Sequence, residues 1–301
     1  MSDERRPTYR IEPHPYAAPT LAAGLYVVAT PIGNLGDVTL RALQTLAAAD
    51  LVACEDTRVT RRLTERYAIE TPLLAYHAHN EARQAERILG LLAEGKAVAL
   101  VSDAGTPLVS DPGERLVAAA VAAGHPVFAV PGASALTAAL SISGLATAAV
   151  HFDGFLPQKA EARRRRLRDL AAHEATLVFY EAPHRLAESL ADMAAELGAD
   201  RPAAVARELT KLHETVLRDG LAALAARFAA EGAVKGEIVV LVGPPPPAGE
   251  PDGAEIDRRL AELLADHSVS AAAALAAEEM GLPRRRLYAR ALALKGGRDG
   301  A

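Results

Sequence analysis

The chain has 301 residues, of which 50% are hydrophobic and 24% charged, and its formal net charge is −5 at pH 7. This length accommodates two domains of ordinary size, and the composition excludes an intrinsically disordered chain. The mildly acidic balance argues weakly against a nucleic-acid-binding protein, although the distribution of charge matters more than its sum. The single cysteine, Cys54, excludes an intramolecular disulfide and suits a reducing cytoplasm. No apolar run is long enough to span a membrane, and the first residues lack the apolar segment of a secretory signal.

The first 23 residues contain four prolines and no helical spacing, so we expect a disordered tail over residues 1–23. Five short apolar runs then alternate with helical patterns, which predicts a parallel, doubly wound sheet in an N-terminal α/β domain over residues 24–148. The runs begin at Gly24, Leu51, Thr71, Ala97 and Pro126. Each run ends in a polar loop, and the carboxyl ends of parallel strands meet at one edge of a sheet. We therefore place the functional site at that edge.

The loop after the fourth run is the strongest candidate for contact with a ligand. It begins with Ser102-Asp103-Ala104-Gly105-Thr106-Pro107, which contains an acid and a glycine, and it ends in Asp111-Pro112-Gly113. A flexible glycine beside rigid prolines is typical of a shaped binding edge, but aspartates also occur in simple turns. We expect the first part of the loop to bind, and Asp111-Pro112-Gly113 only to begin the next helix.

A second α/β domain is predicted over residues 149–243. Its apolar runs begin near Val150, Thr176, Ala203 and Gly236, and the alternating stretch from Glu214 to Arg218 is typical of an edge strand. A Pro-rich linker over residues 244–253 follows. Residues 254–295 predict a small helical appendage of three short helices, and the last two resemble a helix-turn-helix.

The sequence contains no spacing typical of a metal site, a Walker phosphate loop, a dinucleotide fingerprint or a nucleophile elbow. The strand ends carry small and acidic residues instead: Gly33, Gly36, Glu55, Asp56, Asp103, Gly105, Gly132 and Ser134. Small residues allow the backbone to approach a ligand closely, and a carboxylate suits a ribose hydroxyl or a cationic centre. This rim indicates a nucleoside-bearing ligand without a triphosphate.

Five motifs, in this order, closely resemble one family. They are Val28-Ala29-Thr30-Pro31-Ile32-Gly33-Asn34-Leu35-Gly36-Asp37, Cys54-Glu55-Asp56-Thr57-Arg58, Ser102-Asp103-Ala104-Gly105-Thr106-Pro107, Val130-Pro131-Gly132-Ala133-Ser134-Ala135 and Tyr180-Glu181-Ala182-Pro183-His184-Arg185. The family is that of the ribosomal RNA small subunit methyltransferases I, in the tetrapyrrole methylase superfamily, and the resemblance covers roughly residues 24 to 295. It implies two α/β domains, S-adenosylmethionine as cofactor, and 2′-O-methylation of a cytidine in the 16S rRNA of the small ribosomal subunit. It further implies a homodimer.

The resemblance also implies which residues hold the methyl donor. They are Pro31, Gly33, Asp103, Ala104, Gly105, Ser134 and Ala135 from the first domain, and Tyr180, Ala206 and Glu237 from the second. Ordinary strand packing remains the alternative for the residues of the second domain. The first loop departs from the Gly-x-Gly-Pro-Gly-Asp pattern of the wider superfamily, which favours the RNA branch over the porphyrin branch.

Removal of the proton from a ribose hydroxyl calls for a base near the strand ends. The candidates are Glu55, Asp56, Glu181 and Glu208. Each could instead cap a helix or pair with Arg58, Arg185 or Arg207, so the sequence leaves the base unresolved.

An RNA substrate requires cations that contact its phosphates. The expected RNA-binding residues are Arg58, Arg61, Arg62, Arg163, Arg164, Arg165, Arg166 and Arg185. A run of charge is often only the solvated face of a helix. Two kinds of alternative function remain: a methylase of a porphyrin precursor or of a protein side chain, and a nucleotide-sensing regulator that binds DNA through residues 254–295.

Overall fold

A computed structural model describes residues 8–11, 14–232, 234–246 and 253–298 of the chain. The chain divides into two compact units, Met1–Pro244 and Pro245–Ala301. The first unit contains two five-stranded sheets and a short two-stranded one, and the second unit is helical. Within the described residues, no helix is both long and apolar enough to cross a bilayer.

The N-terminal segment contains an antiparallel pair of strands, β1 (Thr8–Ile11) and β2 (His14–Ala17). Tyr9 is only 4% exposed and packs in a core cluster on the first large sheet, and its ring stacks on Tyr16. The expected disordered tail over residues 1–23 is therefore wrong for these strands. The buried ring of Tyr9 stabilises them despite the nearby prolines, while residues 1–7 and 12–13 lie outside the described residues.

The first large sheet is wholly parallel, as predicted. Its strands are β3 (Gly24–Val28), β4 (Leu51–Cys54), β5 (Leu73–Ala75), β6 (Ala97–Val101) and β7 (Val127–Val130), in the spatial order β5-β4-β6-β3-β7. Every residue of β4 and β6 is buried, because hydrophobic clusters cover both faces of the sheet. Burial on both faces explains why these strands are continuous apolar runs rather than alternating ones.

Five helices follow these strands: α1 (Leu40–Ala48), α2 (Thr57–Arg66), α3 (Glu81–Ala93), α4 (Glu114–Ala122) and α5 (Ala135–Ser143). Side chains of α1 such as Leu43 and Leu46 bury one face of the sheet, and Ile88 of α3 and Leu116 of α4 bury the other. The loop before each helix leaves the sheet at the carboxyl ends of the strands. This arrangement gathers the polar loops along one edge.

The second large sheet is mixed rather than parallel. Its strands are β8 (Val150–Phe155), β9 (Thr176–Glu181), β10 (Pro202–Arg207), β11 (Thr215–Gly220) and β12 (Ile238–Val242), in the order β11-β10-β12-β9-β8. Only β8 and β9 pair in parallel. The predicted edge strand is confirmed, since β11 lies at the edge.

The second sheet is covered differently on its two faces. Three helices, α6 (Ala160–Leu170), α7 (Leu186–Leu197) and α8 (Leu221–Glu231), pack on one face with Phe179 at their centre. On the other face Val178 and Val239 pack against Ile32 and against residues of α5, including Ala139. Helix α5 therefore joins the two sheets, which brings the loop after β7 next to β9 and β12.

The C-terminal unit consists of α9 (Gly253–Asp266), α10 (Val269–Met280) and α11 (Arg284–Arg298), which confirms the three predicted helices. The Ser268 hydroxyl accepts a hydrogen bond from the Ala271 amide and caps α10. Gly281 ends this helix in the left-handed conformation, with φ +63°. The three helices bury a hydrophobic cluster of their own around Ile256, Leu260 and Leu287.

Candidate functional site

Hydrogen bonds tie three loops together at the carboxyl edge of the parallel sheet. Thr30, after β3, exchanges two backbone hydrogen bonds with Gly105, after β6, at N···O distances of 2.8 and 3.1 Å. The Thr30 hydroxyl also donates to the Ser102 carbonyl, and the Thr106 hydroxyl donates to the Ala133 carbonyl, after β7. Gly105 has φ +86°, a conformation that a side chain would strain. These bonds fix the loops relative to one another.

The three loops form one side of a cavity of about 320 Å³, and residues of the second sheet form the other. Its residues are Ile32, Ala104, Gly105, Thr106, Val109, Ser110, Asp111, Ser134, Ala135, Phe155, Tyr180, Glu181, Ala182, Pro183, Leu209, Gly236, Glu237, Ile238 and Val239. A mostly apolar cavity of this size with a few polar groups is typical of a small-molecule site. Six of the ten residues expected to hold a cofactor line it: Ala104, Gly105, Ser134, Ala135, Tyr180 and Glu237.

The other four expected cofactor residues do not line the cavity. Pro31 is buried in its loop. Ala206 is fully buried within β10, as the alternative of ordinary strand packing predicts. Gly33 lies beneath the Lys211 side chain. The Asp103 carboxylate accepts a hydrogen bond from the Asp56 amide at 3.0 Å and lines a separate, more open pocket. Sequence position alone does not show on which side of a loop a side chain lies.

Aromatic rings form one wall of the cavity. Tyr180 meets Phe152 and Phe155 edge to face, at centroid distances of 4.9 and 5.7 Å. Burial raises the pKa of the Tyr180 hydroxyl above its ordinary value, so the phenol is neutral at physiological pH. Phe155 stands 56% exposed at the cavity edge. An aromatic face beside an open cavity suits a flat ring or a cationic centre.

Polar groups of the backbone face the cavity at the start of α5. Ser134 is the N-cap residue of this helix, but its hydroxyl makes no capping hydrogen bond. The first amides of a helix have no partner within the helix and carry a partial positive charge. Because Ser134 and Ala135 line the cavity, these amides and the hydroxyl are available to a bound ligand.

Three carboxylates line the cavity, and two of them are held by cations. Both Glu181 oxygens are engaged, one by the Ala182 amide and one by the Ser189 hydroxyl, and Arg185 lies 3.4 Å away. Glu237, at the rim, pairs with Lys211 at 3.2 Å. Asp111 has no ion pair among the described residues, and burial raises its pKa to about 6. Asp111 was expected only to begin a helix, but α4 begins at Glu114 and is capped by Gly113.

The four acids considered as bases occupy different environments. Asp56 caps α2 through the Arg58 amide and pairs with the Arg58 guanidinium, and this hydrogen bonding lowers its pKa to about 2. Glu208 pairs with Lys211 at 2.8 Å, which lowers its pKa as well. Glu181 is engaged as described above. The alternative of capping and pairing therefore describes all three of these acids.

Glu55 differs from the other three, since no hydrogen bond or ion pair joins its carboxylate to a described residue. It lines the second pocket, a more open depression of about 420 Å³, together with Asp56, Thr57, Arg58, Ala75, His77 and Asp103. Burial raises the pKa of the Glu55 carboxyl, and the nearby Asp103 raises it further. Glu55 therefore sits beside the cavity, not in it.

The expected RNA-binding arginines separate into two groups. On α6, Arg163 is only 3% exposed, and both Arg163 and Arg164 hold Asp192 at 2.6 Å. Arg166 pairs with Asp153. The buried Arg163 is not accessible to a phosphate, so the expectation that it binds RNA is wrong. Its charge balances the buried Asp192. A run of arginines in the sequence does not reveal such a buried partner.

The second group remains accessible. Arg61 and Arg62 on α2 and Arg165 on α6 are exposed and have no ion pair among the described residues. Arg58 is exposed beside its partner Asp56. Arg185 is mostly buried and donates to the Leu156 and Pro157 carbonyls, so its role is internal.

Reasoning from the sequence missed several residues of the cavity, above all Asp111, Phe155 and Leu209. Phe155 and Leu209 lie outside the five motifs and carry no polar signal. Asp111 could have been found from its position, because it lies in a long loop and not directly at the start of a helix. Leu108 and Ser110 in this loop adopt positive φ values of 73° and 68°, which side chains rarely do and which a sequence pattern does not show.

Comparison with family models defines the class of protein. A model described as tetrapyrrole (corrin/porphyrin) methylases matches residues 24–225, more than half of the chain. A model described as the RsmI C-terminal HTH domain matches residues 250–295. The chain thus belongs to the class of the tetrapyrrole methylases.

Curated relatives specify the family further. The protein named ribosomal RNA small subunit methyltransferase I from Mesorhizobium japonicum is 53% identical over 276 residues, 91% of this chain and 93% of its own length. Its namesakes from Pseudomonas aeruginosa and Escherichia coli O157:H7 are 51% and 45% identical, over 91% and 90% of this chain and 99% and 96% of their own lengths. The chain belongs to the ribosomal RNA small subunit methyltransferase I family.

Solved structures agree with the fold. A cobalt precorrin-4 methyltransferase has a TM-score of 0.57 at 20% identity, and the match covers 73% of this chain and 94% of that one. A uroporphyrin-III C-methyl transferase from Thermus thermophilus, complexed with S-adenyl homocysteine, has a TM-score of 0.53 at 21% identity, covering 73% and 97%. At these identities the likeness concerns the fold alone.

Proposed function

We propose that the protein transfers a methyl group from S-adenosylmethionine to the ribose 2′-hydroxyl of a cytidine in small-subunit (16S) ribosomal RNA. The observation that carries this proposal is the cavity between the two sheets, in a chain about half identical to proteins named ribosomal RNA small subunit methyltransferase I. Family resemblance alone supports the choice of the 2′-hydroxyl of a cytidine. It also supports a homodimer in the cytoplasm.

The residues of the cavity fit S-adenosylmethionine. The cavity's volume of about 320 Å³ is typical of a small-molecule site, and the small residues Ala104, Gly105 and Ala135 leave room for a ligand along one side. Gly132 allows the loop on this side to pack closely on Ala29, because a Cβ atom at Gly132 would stand only 3.1 Å from the Ala29 Cβ. The amides at the start of α5 offer donors to a nucleoside edge or a carboxylate, and the Tyr180 ring suits the sulfonium.

The bound donor would supply a methyl group already activated on sulfur. The work left to the protein is to align the acceptor oxygen with that carbon, to exclude water and to accept a proton. Apolar groups such as Ile32, Val109 and Leu209 exclude water from the cavity. The hydrogen bonds between Thr30 and Gly105 hold together two of the loops that form the first-sheet side of the donor site.

The RNA would be held by cations that have no ion-pair partner among the described residues. Arg61 and Arg62 meet this condition on α2, whose first turn borders the second pocket. Most arginines of α6 do not, because they neutralise Asp192 and Asp153. We therefore propose α2, with Arg165 as an addition from α6, as the phosphate-binding surface.

The test uses small ribosomal subunits from cells in which this gene is deleted, so that the target is unmodified. The protein is incubated with S-adenosylmethionine labelled in the methyl group, and the RNA is digested to nucleosides. We expect the label in 2′-O-methylcytidine. Label in a porphyrinogen or in protein, offered in parallel, or in no acceptor, would contradict the proposal.

A pair of variants connects the activity to the cavity. Ala135→Trp places a large ring in the cavity and should abolish donor binding and labelling together. Ala123→Trp makes the same change at an exposed position at the end of α4, away from the carboxyl edge of the sheet, and should leave both unchanged.

A further inference from the structure

Asp111 is unusual among the acids of the cavity because no cation of the described residues pairs with it. Of the three carboxylates that line the cavity in the described part of the chain, Glu181 faces Arg185 and Glu237 faces Lys211. Asp111 has no ion pair with any described residue. An uncompensated carboxylate on an apolar wall is costly, so its presence there calls for an explanation.

Helix capping does not explain it. The N-cap residue of α4 is Gly113, and the helix begins at Glu114. A Cβ atom on Gly113, at φ +130°, would stand 2.8 Å from the Leu100 side chain, so this turn packs tightly on the sheet. Asp111 precedes the turn and lines the cavity instead.

The backbone beside Asp111 is held in a strained conformation. Leu108 and Ser110 have φ values of 73° and 68°, which residues other than glycine rarely adopt. Ser110 packs against β8, since its hydroxyl would stand 3.1 Å from a Cβ atom on Gly154. Strain of this kind persists where the surroundings determine the conformation, and it is common at functional sites.

The charged surroundings make Asp111 a stronger base than an ordinary aspartate. Burial raises its pKa to about 6, the negative charges of Glu55 and Asp103 act in the same direction, and the Ser102 hydroxyl opposes them. From the second sheet the neutral Tyr180 faces it. A base with a pKa near the working pH is effective in proton transfer and is still ionised at pH 7.

We propose that Asp111 is the general base that accepts the proton of the ribose 2′-hydroxyl; this inference rests on the function proposed above. The hydroxyl oxygen forms a bond to the methyl carbon while the carbon–sulfur bond breaks and its electron pair stays on sulfur. The hydroxyl proton passes to an Asp111 Oδ atom and from there to water. Charge is conserved, since the positive charge lost at sulfur appears as the released proton.

The test compares the wild type with Asp111→Asn and Asp111→Glu in single-turnover methylation of small subunits from pH 5 to pH 9. Asp111→Asn should lower the rate about a hundredfold or more, in line with the usual contribution of a general base. The dissociation constant of S-adenosylmethionine, measured by calorimetry, should change by less than about threefold. Asp111→Glu should recover part of the rate, and Glu114→Gln, an exposed acid nearby, is the matched control and should behave as wild type.

The pH profile separates a base from a structural residue. The wild-type rate should rise with a midpoint near pH 6, and this rise should be absent in Asp111→Asn. Glu55→Gln removes a neighbouring negative charge, so the midpoint should move to lower pH while the rise remains. A rise that disappears in Glu55→Gln instead would make Glu55 the base and overturn the inference.

The remaining outcomes are equally decisive. If Asp111→Asn loses donor binding in proportion to its rate, the carboxylate binds the donor and the inference is wrong. If it keeps the wild-type rate, no base acts at this position. If Asp111→Asn does not fold, an Asp111→Glu protein without a pH-dependent rise contradicts the inference. A wild-type protein that labels no RNA contradicts the proposed function itself, which distinguishes the two failures.

Discussion

The Lys211 side chain lies directly over Gly33, so that a Cβ atom on Gly33 would stand 2.7 Å from Lys211 Cε. The Lys211 ammonium lies 2.8 Å from Glu208 and 3.2 Å from Glu237, at the rim of the cavity. The absence of a side chain at Gly33 thus allows Lys211, from the loop between β10 and β11, to pack on the first loop. The sequence predicts that Gly33 contacts the cofactor, but in the structure Gly33 leaves space for the Lys211 side chain.

Gly33→Ala should displace Lys211 and break both of its ion pairs. The backbone φ of +157° adds strain to the substitution. Because the rim of the cavity loses its support, we expect the affinity for S-adenosylmethionine to fall about tenfold, equivalent to about 1.4 kcal/mol. Calorimetric titration measures this. In the double variant with Lys211→Ala the clashing atoms are gone, so the two effects should not add. If the effects of Gly33→Ala and Lys211→Ala on the affinity simply add, the contact between the two residues does not contribute to donor binding.

Arg163→Met should destabilise the protein without a direct effect on RNA binding. The guanidinium is 3% exposed and holds Asp192, whose side chain is 6% exposed, and removal of one partner of a buried pair leaves an uncompensated charge. We expect a loss of about 3 kcal/mol in the free energy of unfolding, at the lower end of the usual range because Arg164 still contacts Asp192. Urea denaturation measures the loss. An unchanged midpoint would show that the pair is not structurally important.

Arg61→Gln and Arg62→Gln should have the opposite pattern. Both side chains are exposed and unpaired among the described residues, so the free energy of unfolding should change by less than about 0.5 kcal/mol. If each contacts one phosphate, the double variant should lower the slope of log K against log salt by about two. Filter binding to small subunits at several salt concentrations measures the slope. A slope equal to that of wild type would exclude α2 as the phosphate-binding surface.

The sequence predicts the parallel sheet well because its signals are local. An apolar run such as Ala97–Val101, followed at once by Ser102 and Asp103, is sufficient to place a buried strand and its loop. The same holds for the helices of the C-terminal unit, where Ser268 and Gly281 mark a start and an end. These features depend on neighbours within a few residues.

The errors concern features that depend on tertiary contacts. Tyr9 forms a strand because it is buried against the first sheet, a contact that its own segment does not reveal. Arg163 belongs to a basic run but is buried, because Asp192 lies on a neighbouring helix. Asp111 reaches the cavity through the positive φ values of Leu108 and Ser110. In each case the deciding partner lies outside the local pattern.

Asp111→Asn should stabilise the protein at neutral pH. Its pKa is about 6 in the folded chain and roughly 3.9 in an unfolded one, so the folded state binds more protons between these values and wild-type stability falls as pH rises through them. The asparagine removes this loss. We expect a gain on the order of 1 kcal/mol above pH 7, reduced from the full value by solvent screening, and no gain near pH 4. Denaturation of both proteins across this range measures it, and a pH-independent difference would contradict the assigned cause.

Removal of residues 247–301 should separate donor binding from RNA recognition. Every described residue that lines the cavity lies between Ile32 and Val239, and the helices α9–α11 bury a hydrophobic cluster of their own. The shortened protein should therefore bind S-adenosylmethionine with an affinity within about twofold of wild type. The removed unit matches a helix-turn-helix family and exposes Arg285 at the start of α11, which suits contact with phosphates. We expect the KM for small subunits to rise about tenfold with little change in kcat, measured by steady-state methylation; an unchanged KM would assign this unit a role other than substrate binding.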